Sequence, residues 1–316
     1  MANCYSQNMY IMQQTFRELA HRWAEAKQPI VKYSTICAYR LALRTHLIPR
    51  FGSMVQIHEA EVQEFIVDKM RAGMAKKTVR DIVAILRAVV RHGARLHLCE
   101  RENWQLAYPT TEQGRKLPVL SLAHQRKLMQ YLVGQPTSRN IGILLALCTG
   151  MRIGEVCALE WGDVSLQHRL LRVRQTVGRI YDCERRVTER VFSTPKTKHS
   201  FREIPISKLL FDALCSVKRQ GSSRFVVGVS EQATDPRAYR DYFSRLLRHL
   251  QIPPIVFHGL RHTFATRCIE SQCDYKTVST VLGHSDVSTT LNLYVHPNLV
   301  QKRRCIEKMS RFVDIG

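Results

Sequence analysis

The sequence lacks long hydrophobic runs, a recognisable leader and paired cysteine spacings. No stretch of about 18 apolar residues occurs, so the pattern predicts no membrane-spanning helix. The opening residues, M-A-N-C-Y-S-Q-N-M-Y, have neither a basic nor an apolar segment and do not resemble a secretory signal. The 10 cysteines include no C-x-x-C pair and no spacing typical of a disulfide framework or a zinc cage. These absences indicate a reducing compartment.

Acidic residues are also scarce relative to basic ones. The 316 residues contain 48 Lys and Arg but only 26 Asp and Glu, which gives a formal net charge of +22. This excess predicts a polyanionic partner, and nucleic acid is the leading candidate because no membrane-inserting segment accompanies the charge. We therefore expect a cytoplasmic, nucleoid-associated protein that does not bind membranes.

The spacing of apolar residues divides the chain into two predicted domains. Residues 1–12 form a short leading segment, and residues 13–105 show helical periodicity throughout. Residues 106–117 are mostly polar and contain proline and glycine, which predicts a linker. Residues 118–316 mix helical patterns with short strands, including a predicted hairpin within residues 170–181. The chain is therefore expected to be mostly α, with a small antiparallel β-sheet in the second domain.

Two predicted helices of the first domain carry arginines on a face separate from their apolar stripe. The clearest helix spans residues 76–98, and a second, around residues 34–47, repeats the arrangement. A solvated basic face is an equal alternative for any single helix. The repetition favours a surface that follows a phosphate backbone. The candidate DNA-contacting residues are Arg40, Arg44, Lys76, Lys77, Arg80, Arg87 and Arg91.

Four short segments of the second domain carry side chains suited to phosphate chemistry. They are T-G-M-R-I-G-E, T-P-K-T-K-H-S-F-R-E-I-P, H-G-L-R-H, and L-G-H followed ten residues later by tyrosine. Each segment has a structural explanation of its own. Arg152 could pair with Glu155, Lys196 could lie on an exposed turn, and His284 could fill a core.

Taken together and in this order, the segments resemble the tyrosine recombinase (phage integrase) family over nearly the whole chain. The family motifs are an arginine in T-G-x-R-x-x-E, a hairpin lysine, H-x-x-R, a His or Trp after L-G, and a tyrosine followed two residues later by histidine. The matching catalytic candidates are Arg152, Glu155 in support, Lys196, His258, Arg261, His284 and the nucleophile Tyr294.

The resemblance implies an all-helical core-binding domain and an α+β catalytic domain that form a C-shaped clamp on double-stranded DNA. It implies inverted-repeat core sites, and dimers to tetramers of the protein on DNA, with DNA-bending accessory proteins as further candidate partners. The reaction would be site-specific recombination for a mobile element, through a 3′-phosphotyrosyl intermediate and a Holliday junction, without metal or cofactor. The short leading segment suggests that the family's module for arm-type sites is absent.

Physical chemistry agrees with the roles that the resemblance implies. Forked guanidiniums such as those of Arg152 and Arg261 suit the charge that develops on non-bridging phosphate oxygens. The phenol of Tyr294 has an ordinary pKa near 10 and needs a base, for which His258 is the candidate.

The remaining two roles concern the leaving oxygen and the phosphate. The resemblance assigns protonation of the leaving 5′-oxygen to Lys196, with Lys198 as the alternative on the same turn. His284 would hydrogen-bond a non-bridging oxygen or the tyrosine.

Other functions remain open at this point. A zinc site could use His258 and His262, but the metalloprotease pattern requires Glu where Gly259 stands, and the intervening arginine would repel a dication. We therefore expect no metal. A type IB topoisomerase, a non-catalytic DNA-binding regulator and a metal-dependent nuclease are the functional alternatives.

The end of the chain suggests an interaction with a second copy. Residues 298–313 place apolar side chains among basic ones, which predicts a short amphipathic helix. By resemblance this C-terminal tail would dock on a neighbouring protomer, and packing on its own domain is the alternative. Its apolar residues are Leu299, Ile306, Met309 and Phe312.

Overall fold

The computed structural model describes residues 14–110, 119–194, 201–220, 223–228, 231–284 and 286–294, with 303, 306–307 and 309–310 from the tail. The side chains of residues 289 and 292–294 are outside this description. The chain forms two compact units. Unit 1 is Met1–Gly114 with Ile180–Glu189, and unit 2 is Arg115–Arg179 with Arg190–Gly316.

Unit 1 is helical where it is described, apart from the segment 180–189. A capping box begins the first helix, because Thr15 and Glu18 bond each other's backbone N–H groups. A π-helical turn, Leu43–Leu47, joins the second helix to the short third one. The helices are α1 Phe16–Lys27, α2 Tyr33–Ala42, α3 Ile48–Phe51, α4 Glu59–Arg71 and α5 Lys76–Arg95.

Helix α5 supplies the centre of the unit 1 core. Its apolar residues recur every three to four positions, so one face is continuous and packs against α1. Phe16, Leu19 and Trp23 of α1 are all buried in the same cluster. The apolar stripe of α5 expected from the sequence therefore faces the core. It consists of Val79, Ile82, Val83, Leu86, Val89 and Val90.

Unit 2 contains eight described helices, and the described chain also forms two small sheets. The helices are α6 Leu122–Gly134, α7 Asn140–Thr149, α8 Ile153–Ala158, α9 Lys208–Lys218, α10 Pro236–His249, α11 His258–Glu270, α12 Tyr275–Leu282 and α13 Val287–Tyr294. The strands are β1 Val164–Ser165, β2 Leu170–Val173, β3 Thr176–Asp182, β4 Val187–Ser193 and β5 Arg202–Pro205.

The strands pair differently from the hairpin expected within residues 170–181. Strand β2 is the middle of an antiparallel sheet ordered β1-β2-β5, in which Leu171 lies opposite Ile204. Strand β3 pairs with β4 instead. The hairpin prediction is wrong because the inward residues Leu171 and Val173 need a partner that also faces the core. Strand β5 provides it through the buried Ile204.

Helix α7 is the centre of unit 2. Eight of its residues from Asn140 to Leu147 are buried, and it packs against α6, α8, α9 and α11. A helix that is apolar all round must be covered on every side. The last residue of α7, Thr149, therefore has a well-defined position in the unit, and the candidate Arg152 follows three residues later.

Among the described residues, no helix combines the length and the apolar character needed to cross a membrane.

Candidate active site

Gly150 lies where three helices meet. It ends α7 in the left-handed conformation, with φ of 68°. A Cβ atom there would lie 2.6 Å from Leu282 Cδ2 on α12 and 2.7 Å from Phe264 Cδ1 on α11. Its carbonyl accepts a hydrogen bond from Nη1 of Arg261 at 2.9 Å. Glycine is thus required both by the backbone conformation and by the close packing.

Arg152 is fixed at the start of α8 by Glu155. The backbone N–H of Arg152 donates to Glu155 Oε2 at 2.8 Å, and its Nη1 donates to Oε1 at 2.9 Å. The Glu155 side chain is 4% exposed, whereas that of Arg152 is 38% exposed. The guanidinium is therefore anchored on one edge and accessible to a ligand.

Arg202 completes this ion cluster and was not assigned from the sequence. It lies on β5, is 4% exposed, and donates from Nη1 and Nη2 to the two oxygens of Glu155 at 3.1 and 2.9 Å. Its Nε donates to the carbonyl of Val281 at 2.6 Å. The residue stands in the T-P-K-T-K-H-S-F-R-E-I-P segment, but its burial could not be foreseen there.

Helix α11 contributes a buried arginine and two histidines. Arg261 is 1% exposed, while His258, at the first position of the helix, is exposed. The rings of His258 and His262 meet at right angles, with centroids 4.7 Å apart. Residues one turn apart lie on one helix face, so the helical spacing alone aligns His258, Arg261 and His262.

His284 follows the end of α12. Gly283 has φ of 68°, and the N–H of His284 donates to the carbonyl of Ser279 at 3.1 Å, which closes the helix. Nδ1 of His284 shares a hydrogen bond of 2.8 Å with the hydroxyl of the buried Thr290. Thr290 lies on α13, one turn before Tyr294, and α13 packs against α11 and α12.

The electrostatic environment keeps the three histidines neutral. Desolvation, followed by the charges of Arg261 and Arg152, lowers the pKa of His258. Desolvation and the charges of Arg261, Arg152 and Arg202 lower the pKa of His284 to about 4. The pKa of His262 also falls to about 4, through desolvation and then the charges of His258 and Arg261. Neutral imidazoles can accept protons at neutral pH.

The site therefore brings together most of the catalytic candidates. Arg152, Glu155, His258, Arg261 and His284 converge where α7, α8, α11 and α12 end or begin. The side chain of Tyr294 is outside the description, although its backbone ends α13. Lys196 and Lys198 lie outside the described residues.

Within the part of the chain that the structure describes, no group of three His, Cys, Asp or Glu side chains is arranged to hold a metal ion.

The candidate DNA-contacting residues lie in unit 1, and several have protein partners. Arg40 pairs with Glu184 at 2.9 Å, and Arg44 donates to the Cys183 carbonyl at 2.6 Å. Lys77 pairs with Asp81 at 3.1 Å.

The other candidates lie beside residues 101–109, which follow α5. Lys76 donates to the carbonyl of Pro109 at 3.0 Å, and the guanidinium of Arg80 lies over the ring of Tyr108. Arg87 donates to the Trp104 carbonyl at 2.8 Å. Arg87 and Arg91 also line a cavity of about 320 Å³ that includes Arg101.

Two known family patterns match the sequence. The phage integrase family pattern matches residues 119–300, more than half of the chain, and the pattern of the phage integrase N-terminal SAM-like domain matches residues 15–70. The chain belongs to the phage integrase family. The resemblance seen in the sequence motifs is confirmed, and this phage integrase is a tyrosine recombinase, a DNA strand transferase.

Known proteins similar to this phage integrase include two recombinases. A tyrosine recombinase XerC-like protein of Caldanaerobacter subterraneus subsp. tengcongensis is 24% identical, over 94% of this chain and 83% of its own length. The ICEBs1 integrase of Bacillus subtilis is 24% identical, over 76% of this chain and 67% of its own length.

A solved structure confirms the fold class. The Tn1549 transposon integrase in complex with transposon right-end DNA has a TM-score of 0.79 to this phage integrase at 21% identity, covering 94% of this chain and 100% of that chain. The predicted helical domain followed by an α+β domain is therefore the fold of this protein.

Proposed function

We propose that this phage integrase is a site-specific recombinase of a mobile element, which cleaves and rejoins DNA through Tyr294. The observation that carries the proposal is the convergence of four side chains near α11 and α12, the two helices that α13 packs against. They are Arg152, His258, Arg261 and His284. Guanidiniums and neutral imidazoles in one cluster suit the transfer of a phosphodiester to a phenol.

The chemistry assigns each group one step. The Tyr294 oxygen attacks the scissile phosphorus, the bond from phosphorus to the 5′-oxygen breaks, and a 3′-phosphotyrosyl bond forms. His258 accepts the phenolic proton, while Lys196, with Lys198 as the alternative, protonates the leaving 5′-oxygen.

Arg152 and Arg261 stabilise the charge on the non-bridging oxygens during this transfer. His284, held by Thr290, donates to one of these oxygens. The 5′-hydroxyl of another strand then attacks the phosphotyrosyl phosphorus and releases Tyr294. Two such exchanges in succession pass through a Holliday junction.

The stoichiometry follows from one nucleophile per chain. Recombination of two duplexes requires four strand cleavages, so four protomers act together, assembled from dimers on inverted-repeat core sites.

Residues 13–105 and 118–316 are the proposed DNA-binding and catalytic domains, joined by the linker 106–117. The C-terminal tail would link protomers. DNA-bending proteins are expected as partners, and the protein is expected to be associated with the nucleoid. The ICEBs1 and Tn1549 relatives support a mobile element as the source.

A trapping experiment tests the proposal and identifies the recognition site in one step. The protein is incubated with a pool of nicked random-sequence duplexes, in which the cleaved fragment diffuses away and the adduct cannot religate. Denaturing electrophoresis then separates protein covalently joined to DNA, and sequencing of that DNA gives the site. We expect an enriched sequence with wild type and no adduct with Tyr294→Phe.

The alternative functions give different results in the same preparation. A type IB topoisomerase would also form a 3′-phosphotyrosyl adduct, but without an enriched sequence, and would relax supercoiled plasmid of any sequence. A regulator would bind DNA tightly without an adduct, and a metal-dependent nuclease would cut DNA only in the absence of EDTA. An adduct without sequence enrichment, binding without an adduct, or cleavage that requires metal would each reject the proposed recombinase.

A further inference from the structure

The carboxylate of Glu155 accepts two donors on each oxygen. Oε1 receives Nη1 of Arg152 at 2.9 Å and Nη1 of Arg202 at 3.1 Å. Oε2 receives the backbone N–H of Arg152 at 2.8 Å and Nη2 of Arg202 at 2.9 Å. The bond to the Arg202 guanidinium is thus bidentate, whereas only one nitrogen of the Arg152 guanidinium contacts the carboxylate.

Both arginines also hold the end of α12. Nε of Arg202 donates to the carbonyl of Val281 at 2.6 Å, and Nη2 of Arg152 lies 3.4 Å from the carbonyl of Gly283. The last carbonyls of a helix have no partner within the helix, so external donors fix them. The next residue after Gly283 is His284.

We propose that Arg202 is a positioning residue of this recombinase, which holds Glu155 and the end of α12 so that Arg152 and His284 stay in place for the substrate phosphate. The inference rests on the proposed phosphotyrosyl reaction. Arg202 itself is too deeply buried, at 4% exposure, to be the group that a DNA strand meets first.

The physical reason is competition for Arg152. A catalytic guanidinium beside a carboxylate can bind that carboxylate with both nitrogens, which is the preferred geometry of an arginine–carboxylate pair. Arg202 occupies this bidentate position, so Arg152 is held by one nitrogen and remains 38% exposed. Without Arg202, the buried charge of Glu155 would draw Arg152 inward and away from the phosphate.

Three variants separate positioning from general stability. Arg202→Met removes the charge, and Arg202→Lys keeps the charge but loses the forked geometry. Glu155→Gln combined with Arg202→Met removes both charges and therefore the pull on Arg152. The matched control is Arg172→Met, on the neighbouring strand β2, whose pair with Glu203 is solvent-exposed at 61% and 55%.

The measurements are the rate of adduct formation in a single turnover, the DNA affinity and the folded fraction at the assay temperature. The substrate is the nicked duplex recovered with wild type. We expect Arg202→Met to slow adduct formation by about 10²-fold, the typical effect of misplacing a catalytic group, with DNA affinity within about twofold. Arg202→Lys should recover part of the rate, and Arg172→Met should match wild type.

The double variant gives the decisive comparison. If Glu155 displaces Arg152 when Arg202 is missing, the double variant forms adduct faster than Arg202→Met alone. A rate for Arg202→Met equal to wild type would overturn the inference. So would a loss that follows the folded fraction, with no recovery in the double variant. Absence of an adduct with wild type would instead reject the proposed function.

A pH profile provides a readout that loss of stability alone would not change. Burial by itself raises the pKa of Glu155, but the hydrogen bonds and charge of Arg202, and then of Arg152, hold this pKa below its ordinary value. Arg202→Met should raise it, so lowering the pH protonates Glu155 in the variant, removes the pull on Arg152 and restores part of the rate, in a range in which wild type shows no such gain. His258 faces the same cluster and titrates in both proteins. Parallel profiles would contradict the positioning role.

Discussion

At the scale of single residues, the two arginines proposed to be catalytic are held in different environments. Arg152 is half-exposed and anchored by Glu155, whereas Arg261 is 1% exposed and anchored by the Gly150 carbonyl. A charge in a desolvated position acts more strongly on a phosphate than one in water. In the proposed reaction, Arg152 would therefore be the accessible contact with the phosphate, and Arg261 would act on it with the stronger electric field.

Lys196 has a chemical test that does not depend on its position in the structure. If Lys196 protonates the leaving 5′-oxygen, Lys196→Ala should slow cleavage of ordinary DNA by about 10²-fold or more. A duplex with sulfur in place of the bridging 5′-oxygen should restore the rate, because a thiolate leaves without a proton. Lys198→Ala should show little change on either substrate, and rescue of Lys198→Ala instead would exchange the two roles.

His262 should make the folded protein sensitive to acid. Its pKa is about 4 in the folded protein and has the ordinary value near 6.5 when unfolded. Between these values the unfolded chain binds more protons, so stability falls as pH drops from about 6.5 towards about 4. The melting temperature of His262→Asn should fall less between pH 7 and pH 5 than that of wild type.

The control for this titration is His168→Asn, which changes an exposed histidine of the turn between β1 and β2. It should retain the pH dependence of wild type. An identical pH dependence in His262→Asn would show that His262 is not the group responsible.

At the scale of elements, the ends of helices rather than their middles form the site. Helix α7 ends before Gly150, α8 begins after Arg152, α11 begins at His258 and α12 ends before Gly283. Helix ends leave backbone groups free to bind side chains. The carbonyl of Gly150 accepts a hydrogen bond from the buried Arg261, and the carbonyl of Val281 accepts one from the buried Arg202.

Gly150→Ala should therefore disturb catalysis as well as stability. The added methyl would meet Leu282 and Phe264 within 2.7 Å and would strain a left-handed backbone. We expect a loss of about 1–3 kcal/mol in the free energy of unfolding. Adduct formation should fall further than the folded fraction does, because the Gly150 carbonyl positions Arg261. The matched control is Gly134→Ala at the end of α6, where a methyl meets nothing within 4 Å. Equal effects of both changes would contradict this role of Gly150.

Local patterns predicted the elements that depend on local packing. The stripe on α5 followed from its 3.6-residue period, and the Arg152–Glu155 pair followed from a spacing of three residues. The pairing of β2 with β5 could not be read in this way. A strand's partner is set by long-range packing, and here the chain between them includes the β3–β4 pair.

Arg202 shows the same limit at the site itself. It bonds Glu155 across 47 positions of sequence, so no spacing rule connects the two residues. Lys196, in the same segment, matches a family motif and was therefore the residue predicted to be catalytic. A buried ion pair between distant residues becomes visible only when the fold places both side chains in one core.

At the scale of the whole molecule, the formal charge of +22 should dominate DNA affinity. The logarithm of affinity is expected to fall linearly with the logarithm of salt concentration, by about 0.9 for each phosphate neutralised. Arg91 on α5 is exposed, so Arg91→Ala should reduce the magnitude of this slope by about 0.9. Titration of the recovered duplex at several salt concentrations measures it. Arg172→Ala is the control, and an unchanged slope for Arg91→Ala would indicate that this arginine is only solvated.

The proposed reaction depends on one covalent bond. The adduct trapped on the nicked duplex can be digested with a protease and a nuclease, and mass spectrometry then locates the nucleotide on the peptide. We predict a single modified peptide that contains Tyr294, joined to the 3′-phosphate of the cleaved strand. Modification of any other residue, or attachment through a 5′-phosphate, would contradict the proposed mechanism.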